Sequence, residues 1–170
     1  MKNIIIAFLV LLPNLLIAQN KFESEIIKSS QTMGDALLKY DYQILAEYTY
    51  PLIIEMMGGK TKMIQITENA MEQIKQQGFE FSKINIGKPG KVHQAGEELH
   101  CLLPQTIELK NQDGTIINTS YLIGISLDKG EKWYFIDTAG LTNESAYELF
   151  PDFNSDLTIP PKTQPEFIRN

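Results

Sequence analysis

At Phe79 the apolar residues change their spacing, from the three-to-four repeat of a helix to the two-residue repeat of a strand. This switch limits the fold more than any other feature of the chain. Before it, Phe22, Ile26, Met33, Leu37 and Tyr40 recur on one helix face, with Asn20 and Glu23 spaced as a capping box. Asp41 is placed to cap a short second helix carrying Ile44, Leu45 and Tyr48, which ends near Pro51. A third stripe, Met63, Ile64, Thr67, Ala70, Met71 and Ile74, closes at Gly78. After the switch come five alternating runs, FEFSKINIG, KVHQ, ELHCLLPQTIELKN, TIINTSYLIGISL and KWYFID, separated by turn residues. A short helix is expected over 144–149. The pattern predicts an α+β domain, three N-terminal helices laid on one face of an antiparallel sheet. The tail carries Pro151, Pro160, Pro161 and Pro165 and reads as an extended arm over 151–170 lying on the domain.

Hydrophobic matching predicts the strand registers, because a one-residue slip turns every side chain to the other face. A three-residue loop Gln112-Asp113-Gly114, with Gly114 left-handed, pairs Leu109 with Ile117, Leu103 with Ile123, Cys101 with Ile125 and Leu99 with Leu127. The two-residue Asp-Gly loop sets Asn118 and Ser120 against Leu109 and Ile107 and is rejected. Treating Asp128-Lys129-Gly130 likewise pairs Ile125 with Trp133 and Ile123 with Phe135. Gln105, Tyr121 and Asp137 then form one polar row across a single apolar face, the expected lining of a small-ligand site together with Trp133 and Phe135. The plainer alternative is that Asp137 caps a strand end.

The segments KYDYQILAEYTYP, GGKTKMIQITENAMEQI and EKWYFID, in this order before and within a long meander, resemble the nuclear transport factor 2-like superfamily over about residues 22–140. The resemblance implies a cone, with the curved sheet and the helices enclosing a cavity. It also admits a homodimer through the sheet face. The superfamily includes isomerases, dehydratases, binding modules and many exported domains. In its enzymes acid and base residues project into the cavity, where Asp137, Tyr121 and Gln105 would fall.

Gly58-Gly59-Lys60-Thr61 imitates the end of a phosphate-binding loop, but the position five residues before the Gly-Lys-Thr is Ile54 rather than glycine, and the preceding segment has helical spacing. It is expected to be a helix-to-helix turn, with Gly58 or Gly59 supplying a left-handed backbone. The first 18 residues, one lysine followed by the apolar run from Ile4 to Ile17 and then Ala18, read as a secretory leader too short to span a membrane, leaving a single domain over 19–150 before the arm. A formal charge of −6 argues against nucleic acid and anionic membrane surfaces as partners. One cysteine, Cys101, cannot close an internal disulfide, so packing alone must hold the exported fold.

Three chemistries can be weighed. His93 and His100 face each other across a hairpin centred on Gly96 and Glu97, with Glu98 on the side of His100, a set able to ligate a transition metal. The registers, however, put His100 on the face opposite the apolar one, open to water. Cys101 lies between Leu99 and Leu103 on the apolar face with no base beside it, so an inert thiol is expected. Asp137 could act as a general base with Tyr121 as oxyanion donor if burial raised its pKa. The expectation is an exported, non-catalytic domain binding a small apolar molecule or a protein partner through the cavity or sheet face. A small isomerase- or dehydratase-type enzyme using Asp137 and Tyr121 is the alternative, and no cofactor is implied by any motif.

Overall fold

The structure, a computed structural model, describes the backbone from residue 12 and side chains from residue 22 to Asn170. Most of the expected leader, residues 1–11, and the side chain of Asn20 lie outside the described residues. The chain is an α+β domain in which N-terminal helices precede a strongly curled antiparallel sheet forming a half-barrel.

Helix α1 spans Leu12–Leu38, so it does not begin at Asn20 as the capping-box spacing suggested. It stops at Tyr40, which takes a left-handed φ of 57° and is exposed rather than part of the buried stripe. Asp41 Oδ1 accepts from the Ile44 N–H at 3.1 Å and starts α2, Tyr42–Tyr48, as its spacing predicts. Pro51 then opens a further helix, α3 (Pro51–Met56), because its missing N–H is harmless in a first turn. Gly58 and Gly59, at φ of 89° and 96°, turn the chain into α4, Lys60–Gln76. The GGKT stretch is therefore a helix-to-helix turn. Helix α4 packs on α2 and α3, burying Met63 and Met71 but leaving Ala70 exposed, so its apolar stripe is narrower than the spacing suggested.

The sheet is organised by one long hairpin, β3 (Glu98–Lys110) and β4 (Gly114–Ser126), whose outer edges each carry two short strands. Strand β1 (Glu80–Ile86) pairs with β3 over Gln105 to Lys110, and β2 (His93–Ala95) over Glu98 to His100. On the other side β5 (Tyr134–Asp137) pairs with β4 over Leu122 to Ile125, and β6 (Glu166–Arg169) over Gly114 to Ile117.

Both hairpin registers differ by one residue from the expected ones. Leu109 stands opposite Ile116, Leu103 opposite Leu122, Cys101 opposite Gly124 and Leu99 opposite Ser126. The cause is Asn111, whose Oδ1 accepts from the N–H groups of Asp113 and Gly114, both at 2.9 Å, closing a two-residue loop Gln112-Asp113. Gly114 is not left-handed; it is already in β4, where a Cβ would collide with the Ile168 carbonyl oxygen of β6. At the second hairpin Asp128 Oδ1 accepts from the N–H groups of Glu131 and Lys132, while Ser126 Oγ accepts from Gly130 N–H at 2.8 Å. This wider turn leaves Trp133 outside the ladder and pairs Ile125 with Tyr134 and Ile123 with Ile136.

The centre of the sheet is buried on both faces. On the helix face, Cys101, Leu103, Leu122 and Phe135 pack with Trp133 and with Ile26 of α1. On the outer face, Ile123, Ile125 and Ile136 are covered by Tyr50, by Ala146 of α5 (Asn143–Leu149), and by Phe150, Phe153, Leu157 and Ile159. The arm thus supplies three buried side chains, Phe153, Leu157 and Ile159, to the outer cluster. Asn143 ties it down, accepting from Ile159 N–H at 2.8 Å and donating to Ile159 O at 3.3 Å.

Candidate functional site

The expected polar row exists with one member exchanged. Gln105 lies opposite Ser120, and its Nε2 donates to Ser120 Oγ at 2.9 Å and to Asp137 Oδ2. Tyr121, one residue on, points to the outer face, where its neighbours are Thr138, Pro160 and Pro161. Asp137 Oδ1 accepts from Ala139 N–H at 2.7 Å and caps the 3-10 turn Thr138–Gly140. Burial raises the Asp137 pKa, while the hydrogen bonds from Ala139, Ser120 and Gln105 pull it the other way. Yet the residue keeps solvent exposure at the strand end, and its donors come from the protein itself. Trp133 and Phe135 are 0% and 2% exposed, and Trp133 Nε1 donates to Gly130 O at 3.2 Å. With Phe22 edge-on to Trp133, side chains occupy the space between α1 and the sheet. Burial pushes the Cys101 thiol up to about 12, so it is the neutral, unreactive thiol its place in the pattern suggests.

The histidines depart most from expectation, through the cover of their face rather than through register. His93 and His100 are cross-strand partners and Glu98 is on the side of His100, as expected. His100, however, is 1% exposed, because the outer face it occupies is the one the C-terminal segment covers. Its ring packs against Phe150 and Phe153 at centroid distances of 5.4 and 5.7 Å. Nε2 lies 2.7 Å from Glu98 Oε2, and the Tyr50 hydroxyl donates to Glu98 Oε1 at 2.8 Å. Burial and the bond to Glu98 raise the Tyr50 pKa, so the phenol stays a donor. Nε2 is thus engaged by a carboxylate, and the other ring nitrogen, Nδ1, is buried without a hydrogen-bond partner. His93 turns to Asp156, 3.7 Å away. Among the described residues no group of three His, Cys, Asp or Glu side chains is arranged to hold a metal ion.

A cleft of about 250 Å³ opens beside this relay. Tyr50, Ala95, Leu149 and Phe150 line it together with His100 and the acidic Glu97, Glu98 and Asp152. Tyr50 was missed in the sequence because its partner is 48 residues away, with no local signal to link them. Leu149 carries no sequence signal beyond the end of the short helix over 144–149, and Phe150 none beyond the start of the arm.

The chain matches no family model, and neither a curated protein nor a solved structure is similar to it. No described helix is long and apolar enough to cross a membrane.

Proposed function

We propose that this protein is an exported, non-catalytic domain of nuclear transport factor 2-like build that binds a small, largely apolar molecule. Its site is the cleft between the β2–β3 turn and Phe150. The observation that carries the reading is the buried, unpartnered Nδ1 of His100, oriented through Nε2 by Glu98 and Tyr50. A buried polar group left unpaired costs about 1–3 kcal/mol, a cost that a bound partner would remove. The leader-like N-terminus supports export. The order of helices and the curled sheet support the superfamily.

The test is amide and side-chain NMR during titration with phenol and indole, small aromatic probes that each carry one donor. Shifts gathered at Tyr50, Ala95 to His100 and Leu149 to Asp152 support the cleft. Shifts at the Trp133 indole and Gln105 amide would move the site into the cone, and no saturable shift with either probe would sink the binding reading.

One observation favours the second reading, an acid–base enzyme: the raised pKa of Asp137. In that case Gln105 and Ser120, rather than Tyr121, are the groups that share its carboxyl. A carboxyl titration of Asp137 that moves toward neutrality is the result this reading requires.

A further inference from the structure

The four strands at the outside of the sheet differ in how their free edges are treated. β1 carries a bulge between Phe81 and Lys83. The edge of β5 is taken by Thr49, which bridges to Phe135, and by the Tyr50 N–H, which donates to Phe135 O. The edge of β2 is met by Asn154 Nδ2, which donates to Gln94 O at 2.9 Å. β6 has no such cover among the described residues: all four of its residues are exposed, Phe167 and Ile168 by 47% and 48%. An open edge strand is a template for another strand.

The phase of that edge can be read. Asn170 N–H donates to Asp113 O, so alternation along the antiparallel ladder turns the backbone groups of Glu166 and Ile168 toward β4 and those of Phe167 and Arg169 outward. Antiparallel pairing about a two-fold axis places residues of the same face opposite each other. Two registers satisfy this. With Phe167 on the axis, Glu166 faces an apolar Ile168, and the pairing needs Pro165, which has no N–H and precedes the strand. With Ile168 on the axis, four backbone hydrogen bonds form wholly within β6. Each Phe167 then lies beside an Arg169 guanidinium, a cation–π pair made twice.

We infer that a second copy of this chain docks on β6, strand to strand, with Ile168 against its own symmetry mate. The dimer joins two half-barrels edge to edge and continues the row Phe81, Leu109, Ile116, Phe167 onto the stem of the second copy's Arg169. This is independent of the cleft, which lies at the other end of the hairpin.

Sedimentation velocity across the micromolar-to-millimolar range tests it, with far-UV circular dichroism to show that each protein is folded. Wild type is expected to dimerise reversibly. Ile168→Lys and Ile168→Glu, at an exposed position, each weaken the dimer by at least about tenfold through like charges on the axis. Mixing the two restores it, because the axis then joins opposite charges. A wild type that stays monomeric overturns the inference, as does a dimer indifferent to Ile168→Lys. Two monomeric variants that fail to pair on mixing would also overturn it, since Ile168 would not then lie on the axis.

Discussion

The two faces at the centre of the sheet are both buried but resolve their polar groups differently. On the helix face, Gln105, Ser120 and Asp137 form a closed set in which each group finds a partner in another or in the 3-10 turn. On the outer face, Tyr50, Glu98 and His100 form an open chain that ends in an unpaired nitrogen. A closed set costs little and does nothing further, whereas an open one keeps a group in reserve at a standing cost. That difference, rather than the number of polar residues, directs the functional reading to the outer face.

The comparison breaks first if the arm is dispensable. Removing residues 151–170 uncovers Ile123, Ile125 and Ile136 and deletes Phe153, Leu157 and Ile159, each side chain worth roughly 1.5–3 kcal/mol of burial. The expected result is loss of cooperative unfolding and of dispersed amide shifts. A truncated chain that melts like the full one would show the outer face to be a surface with a loose cover. On the other face, Leu103→Ala should cost about 2–5 kcal/mol in denaturant unfolding, as befits a side chain with no exposure. Native Cys101 should react with thiol reagents only at the rate of opening, and Leu103→Ala should speed that reaction. Fast labelling of the wild type would mean that the helix face holds a real cavity.

The elements themselves were legible, because Asp41, Pro51, Gly58, Gly59 and the alternating runs act locally. The registers were not, and the reason is physical. Matching apolar residues fixes register only when one face is buried, and here either face accepts the match: shifting β4 by one residue exchanges Ile123 and Ile125 for Leu122 and Gly124 against the helices. The decisive residue was Asn111, whose side chain closes the turn one residue earlier than Gly114 would. From that single slip came the misplacement of Tyr121, whereas His100 kept its expected face and is buried because Phe150 and Phe153 cover it. The candidate row survived in two of three residues because the strands of Gln105 and Asp137 each moved by one residue against β4, which keeps the two side chains on one face.

A smaller effect sharpens the open set. Tyr50→Phe removes the hydroxyl that fixes Glu98 and should cost about 1–2 kcal/mol, since the bond is buried on the phenol side only. It should also broaden or shift the His100 ring resonances, because Glu98 is then held by the imidazole alone. An unchanged His100 spectrum would show that the relay is not coupled and that Tyr50 is merely packed.

The smallest expected effect belongs to the closed set and has a definite sign. The Asp137 pKa is raised in the fold above its ordinary 3.8, so the folded state holds that proton more tightly than the unfolded chain does. Its contribution to stability is therefore fully present below the unfolded value and is lost as pH rises through the folded one. Asp137→Asn cannot titrate, so the difference in melting temperature, wild type minus variant, should fall between pH 3 and pH 7. The carboxyl is partly exposed, and the three hydrogen bonds oppose its desolvation, which keeps the change small. A difference that instead grows with pH would mean that the bonds from Ala139, Ser120 and Gln105 outweigh burial. Asp137 would then be an ionised structural cap, and the acid–base reading of the helix face would end there.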